Sequence, residues 1–345
     1  MFQFIEVLVI CALALISIGV AINYRLWRQP WFPLAAFCLI VLIETAYDWD
    51  FIRHYDNEIS TAKYEWKNST DDTAAALKEL TARIVVETIE FLRAMAVVWV
   101  FLVSLYVVLK TWPKATNDQR VTLVMVFILA IVLYGVFWEQ IIPSIPNPWT
   151  NQTLFSRLNG AVRVHSGRPD FGEDIWIPVV KATHFALIFA AFATGLIMTK
   201  PGKDALALKS QVKYLTHLLF SCAALCVIHV IGMGCWHIRE AALLAKPDEA
   251  LLALKMCAAM SAGNAVSYIC ILVAFHLPAA EVLASQSQQL VPKQYQDKES
   301  KRITWLKKQG LVATTAQFYV QIFAMLSPLI AGFPLTKLLA FVFTA

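Results

Sequence analysis

Residues 71–111 most constrain what this chain can fold into. The run TAAALKELTARIVVETIEFLRAMAVVWVFLVSLYVVLKT follows Asp71 and Asp72, two good helix N-caps, and contains neither Pro nor Gly. Its first half is amphipathic and its second half is apolar all round. As one helix it would be roughly 60 Å long at ~1.5 Å per residue, about twice a ~30 Å hydrocarbon core. The expected arrangement is a helix that crosses a bilayer and continues into water on one side. Where it enters lipid it carries Arg83, Glu87, Glu90 and Arg93.

The rest of the chain agrees with that solvent. Of its 345 residues 59% are hydrophobic and 15% charged, against ~45–50% and ~25% in soluble domains. Strand-sized alternating segments are missing, which argues against an outer-membrane barrel. The fold class is therefore all-α, a polytopic integral membrane helix bundle. About eight stretches are long and apolar enough to span. They lie near 4–23, 31–47, 87–109, 121–142, 175–198, 214–236, 251–275 and 311–331. The first lacks a basic n-region and a clean cleavage site, so it reads as a retained span rather than a signal peptide. The apolar tail 335–345, after Pro334, is too short to span and is expected at the interface or re-entering the bilayer.

Loop charge sets the expected orientation. Arg25 and Arg28, then Lys110, Lys114 and Arg120, then Lys200, Lys203, Lys209 and Lys213, and finally the basic segment 284–309 fall in alternate connections. These belong on the cytoplasmic side of a plasma or inner membrane. The outer loops are then 50–86 and 143–174, and both termini lie on the non-cytoplasmic side. The net charge of +5 resides in these connections, so it does not point to nucleic acid; the first partner is the lipid bilayer, with other membrane subunits or further copies of the chain beside it. Asn68 and Asn151 head sequons on outer loops, which matter only where a glycosylation pathway exists. Seven cysteines, mostly inside apolar spans, do not form a disulfide framework.

Three groups of side chains can carry chemistry. The first is charged. Glu44 and Asp48 share a face of the second span, Arg83, Glu87, Glu90 and Arg93 descend the long helix, Glu139 ends the fourth span, with Tyr134 about one turn below it, and Lys181 opens the fifth. Charges at this depth face protein or water and find partners. They fit an ion or proton path, or equally a set of structural salt bridges. Local i, i+3 pairing is too weak to offset deep burial, so Arg93 is expected to pair with Glu44 or Asp48.

The second group is a soft-ligand stripe, Cys222, Cys226, His229 and Met233, spaced i, i+4, i+7, i+11 on the sixth span. Thiolate, thioether and imidazole suit copper(I); the plainer reading is apolar filling with one hydrogen-bonded histidine. The third group is histidine: His184, His217 and His229 fall within spans. His184 and His229 match in depth if their helices pack, and paired histidines can ligate haem iron; polar packing is the default.

Small residues at 190–195 and 261–267 favour close helix packing. No nucleotide motif and no CxxC pair occurs, which lowers any enzyme reading. Three functions stay open: a channel or transporter for an ion or small solute, which is preferred, a non-catalytic subunit of a membrane complex, or a copper- or haem-binding redox protein.

Overall fold

The computed structural model describes residues 28–41, 73–136, 171–199, 202, 204–242, 247–296, 298–311 and 315–344. Every regular element among them is helical. In chain order they are α1 (Phe32–Val41), α2 (Thr73–Thr111), α3 (Asn117–Val136), α4 (Phe171–Thr199), α5 (Ala205–Ala242), α6 (Pro247–Gln289), α7 (Lys293–Gln296), α8 (Glu299–Gln309) and α9 (Thr315–Thr344). Five described helices, α2 to α6, are long and apolar enough to cross a membrane, and α1 and α9 add shorter apolar segments. The chain is a multi-pass membrane protein. The expected span 4–23, the end of 31–47 and the end of 121–142 lie outside the described residues, as do most of both outer loops.

Two boundaries differ from expectation. The tail 335–345 is not separate: α9 runs continuously through Pro334 to Thr344. A proline removes one intrahelical bond, which a membrane helix tolerates; α4 and α6 likewise continue through Pro178 and Pro278. The segment 284–309 is not a simple loop either. α6 persists to Gln289 and α7 and α8 follow, because Ala, Gln, Lys and Glu are good helix formers even where they are too polar to span.

The bundle is built around α4. Its spanning window is 83% buried, against 22% for α2 and 17% for α3. Ala186, Ala190, Ala191, Ala193 and Thr194 are all buried, and these small side chains let neighbouring helices approach. Gly195 lies against the Pro30 carbonyl, and an added Cβ would stand 2.9 Å from Leu123, so α3 and the turn before α1 both lean on it. α4 packs against α2, α3, α5 and α6; α5 packs against α2, α4, α6 and α9.

Polarity is inverted relative to a soluble protein. On α2 the buried positions Val86, Glu90, Arg93, Val100, Ser104, Val107 and Thr111 fall on one face, at spacings of three, four or seven residues. They include four polar side chains, while the exposed face presents Phe91, Leu92, Met95, Val98, Trp99 and Phe101. α3 exposes Val121, Met125, Ile128, Leu129 and Val132. An apolar exterior of this extent faces lipid.

The basic connections gather at one end. The Gln119 side-chain amide donates to the Thr199 carbonyl at 2.9 Å, and Arg120 Nε donates to the Trp112 carbonyl at 3.1 Å. Arg28 ion-pairs with Glu281 near the end of α6. Gly310, just after α8, lies against Lys209 of α5.

Candidate intramembrane site

Six helices converge on one buried polar layer. α2 supplies Glu90 and Arg93, which form an i, i+3 ion pair. Arg93 is 0% exposed, the largest side chain fully buried among the described residues, and Glu90 is 6% exposed. Gly232 of α5 makes room for the pair. A Cβ there would stand 3.3 Å from Glu90 Oε1 and 3.5 Å from Arg93 Nη1.

One turn before Gly232, α5 presents His229, 2% exposed. α4 brings His184 to it, with ring centroids 6.0 Å apart and planes at 75°. His184 Nδ1 lies 3.0 Å from the Val180 carbonyl; in that contact Nδ1 carries the hydrogen and donates. Tyr268 of α6 packs edge-on against His229 at 5.1 Å. Tyr134 of α3 lies 5.4 Å from His184, and Phe37 of α1 lies 6.4 Å from it. The Arg93 guanidinium is an electrostatic neighbour of Tyr268, His184 and His229.

These groups share a depth because their helices pass the basic end together. Arg93 precedes Lys110 by seventeen residues, His184 precedes Thr199 by fifteen, and Tyr134 follows Arg120 by fourteen. At ~1.5 Å per residue each lies about 20–25 Å from that end, in the far third of a ~30 Å hydrocarbon layer.

Hydrogen-bonding capacity remains in the layer. Among the described residues, neither the Arg93 nitrogens nor the Glu90 oxygens form an aligned hydrogen bond, although the two groups touch as ions. His229 Nδ1 and Ser261 Oγ of α6 are also buried without a hydrogen-bond partner. Buried polar groups in native proteins are normally satisfied, so these groups stand out among the described residues.

The charged residues named from the sequence do not all meet here. Glu87 is exposed on α2, and Lys181 is half-buried three residues before His184. Glu44, Asp48 and Glu139, and the Arg83 side chain, lie outside the described residues. Arg93 was expected to pair with Glu44 or Asp48; the ion pair observed is with Glu90 on its own helix.

The soft-ligand stripe is not one site. Cys222, Cys226 and His229 are buried and Met233 is half-buried. From Cys222 to Met233 the helix rises about 16 Å, too far for one ion. Among the described residues no three His, Cys, Asp or Glu side chains gather to hold a metal.

His184 and His229 do meet, as expected of a pair at matched depth, but each imidazole is already packed against protein aromatic rings. His217 is exposed on α5. His276 of α6 is buried near Gln321 of α9, beside a small cavity that it shares with Cys222 and Thr194.

Tyr268 and Gly232 were not singled out from the sequence. Tyr268 carried a signal: Ser261, Asn264 and Tyr268 follow i, i+3, i+7 and are buried together on α6. Gly232 carried only its position three residues after His229.

No family model, curated protein or solved structure matches the chain.

Proposed function

We propose that this protein is a channel or transporter that passes protons or a small ion across the bilayer, with Glu90, Arg93, His184 and His229 as its intramembrane site. The observation that carries this reading is a fully buried Arg93, ion-paired inside a spanning window and an electrostatic neighbour of two buried histidines. An ionised side chain at mid-bilayer costs at least ~2.5–3.5 kcal/mol on insertion scales, and such groups commonly mark ion or proton paths. Imidazole is the side chain best suited to exchanging protons near neutral pH. The basic end is taken as cytoplasmic, from the charge of its connections.

The test is flux. Purified full-length protein is reconstituted into liposomes containing a pH-sensitive dye, a potassium diffusion potential is imposed, and proton entry is followed. Sodium, potassium and chloride gradients are tested in the same vesicles. Wild type should exceed empty liposomes, and Glu90→Gln and His229→Ala should reduce the rate at least tenfold. Flux of none of these ions above the empty-vesicle rate would overturn the reading.

A second reading, a non-catalytic subunit of a membrane complex, is favoured by the outer position of α2 and α3, of which α2 exposes Phe91, Trp99, Phe101 and Tyr106. Co-purification of a stoichiometric membrane partner that covers this face would favour it.

A further inference from the structure

α8 is built differently from the other helices. Arg302, Trp305, Leu306 and Gln309 form its sheltered side, at i, i+3, i+4 and i+7. Lys301, Ile303, Lys307 and Lys308 are exposed on the other. Its seat on the bundle is well defined. Leu311 N–H donates to the Leu306 carbonyl and Gly310 N–H to the Lys307 carbonyl, both at 3.0 Å, which is the paired closure of a Schellman cap. Leu306 and Leu311, the two residues such a cap brings together, are both buried. Gly310 supplies the left-handed turn with φ 69°.

This seat fixes which cations stand together. Gly310 abuts Lys209, so the start of α5 lies beside the end of α8. Lys209 and Lys213 are exposed there, and Leu206 on the same first turns of α5 is 76% exposed. Ile303 is 39% exposed. The patch thus combines several exposed ammonium groups with protruding apolar side chains at the end of a membrane bundle, with Asp204 just before α5 as a nearby acid. Glu299 in the first turn is the one acid that α8 carries.

The geometry points to a binding surface for anionic phospholipid headgroups, formed by Lys301, Lys307 and Lys308 of α8 with Lys209 and Lys213 of α5. A basic helix with an exposed aliphatic residue lies in the membrane interface, where the aliphatic group enters the acyl boundary and the amines meet phosphate. Leu206 and Ile303 supply the apolar contact. A near-surface cation facing anionic lipid is worth about a fivefold change in partitioning. A soluble acidic protein would also attract the amines, but would leave Leu206 and Ile303 without a hydrocarbon environment. The inference does not depend on the proposed ion site, which is built from other residues about 20–25 Å away along the helices.

The test uses the full-length protein in phosphatidylcholine bilayers doped with spin-labelled phosphatidylglycerol or spin-labelled phosphatidylcholine. Electron paramagnetic resonance reports the fraction of each lipid held motionally at the protein. Wild type should prefer phosphatidylglycerol, and 0.5 M salt should weaken that preference through screening. Lys301→Gln/Lys307→Gln/Lys308→Gln should lower it about tenfold or more, while the corresponding triple arginine variant keeps it. The salt titration on wild type decides the matter even where the glutamine variant does not fold. Equal association of the two lipids with wild type, a preference unmoved by salt, or a folded glutamine variant that retains the preference would each overturn the inference. The first of these outcomes would leave the patch to a protein partner.

Discussion

Replacing Arg93 by Met leaves the Glu90 carboxylate in the interior without its counter-charge. The expected cost follows from burial rather than from the spacing of the pair. An i, i+3 pair on a solvated helix contributes only about 0.2–0.5 kcal/mol. Here Arg93 is 0% and Glu90 6% exposed, so the buried regime applies, in which removing one partner costs about 3–5 kcal/mol. Glu90→Leu should cost a similar amount by stranding the guanidinium. Removing both charges together, in Glu90→Leu/Arg93→Met, should recover most of the loss, because apolar replacement of a buried pair is often neutral or stabilising. Cys222, Cys226 and Cys235 are buried thiols outside any disulfide, so a thiol-reactive dye reports unfolding of the full-length protein in detergent. A second cycle pairing Arg93→Met with Glu44→Gln tests the pairing expected from the sequence, in which the double variant recovers part of the loss. Single variants that cost less than about 1 kcal/mol, or a double variant no better than the worse single, would refute the reasoning. Strong coupling to Glu44 would identify that acid as a further partner of Arg93. A folded double variant that no longer conducts would separate the site's role in flux from its role in stability.

Gly232→Ala should lower stability by about 1–3 kcal/mol through overpacking, because its Cβ would crowd Glu90 Oε1 and Arg93 Nη1; thermal unfolding checks it, and a neutral result would mean the pair can shift. Gly310→Ala should cost about 1–2 kcal/mol for the left-handed backbone alone, with further crowding from Lys209 at 3.1 Å; an unchanged unfolding midpoint would contradict the cap. Cysteines placed at Lys114, Lys203 and Lys301 should escape an impermeant thiol reagent applied to intact cells, while cysteines at Asp56, His165 and Lys246 should react; the opposite pattern would invert the topology.

The sequence showed the helices and the site's charges, and physical limits explain what it did not show. Apolar runs of membrane length are legible because lipid allows few polar side chains outward, and α2 to α6 appear where such runs stand. Helix ends were less legible, since α5 and α6 extend past the hydrocarbon in residues whose polarity resembles a loop. Glu90 and Arg93 stood out as charges in an apolar run, but a sequence does not reveal which neighbour a long side chain turns toward. The matched depth of His184 and His229 depends on a local detail. Gly202 N–H donates to Gln211 Oε1 at 2.7 Å, folding the connection back beside the start of α5. His184 then lies eighteen residues before Gly202 and His229 eighteen after Gln211. The soft-ligand stripe shows the limit of spacing as a signal, because a shared helix face places groups in a column, whereas a metal needs them around a point.

The depth of the polar layer bears on how an ion would reach it. About 20–25 Å of helix separates Arg93 from the basic end, leaving only about 5–10 Å of hydrocarbon on the other side. The longer side is lined by buried Val100, Val107, Leu187, Leu219 and Leu272. Its polar interruptions include Ser104, Thr194, Ser221, and His276 with Cys222 at their shared cavity. An ion leaving the Glu90–Arg93 pair toward the basic end would lose a counter-charge while entering this apolar stretch, where the electrostatic cost is greatest. The shorter side carries no such penalty over more than about two helical turns. In the proposed function the pair therefore exchanges with the non-basic face first, and the slow step is passage along α4 and α5 toward His276. That step needs either a transient water file or a helix movement, and Gly195, where the Pro30 carbonyl and the Leu123 side chain of α3 close on α4, is the contact such a movement would have to shift.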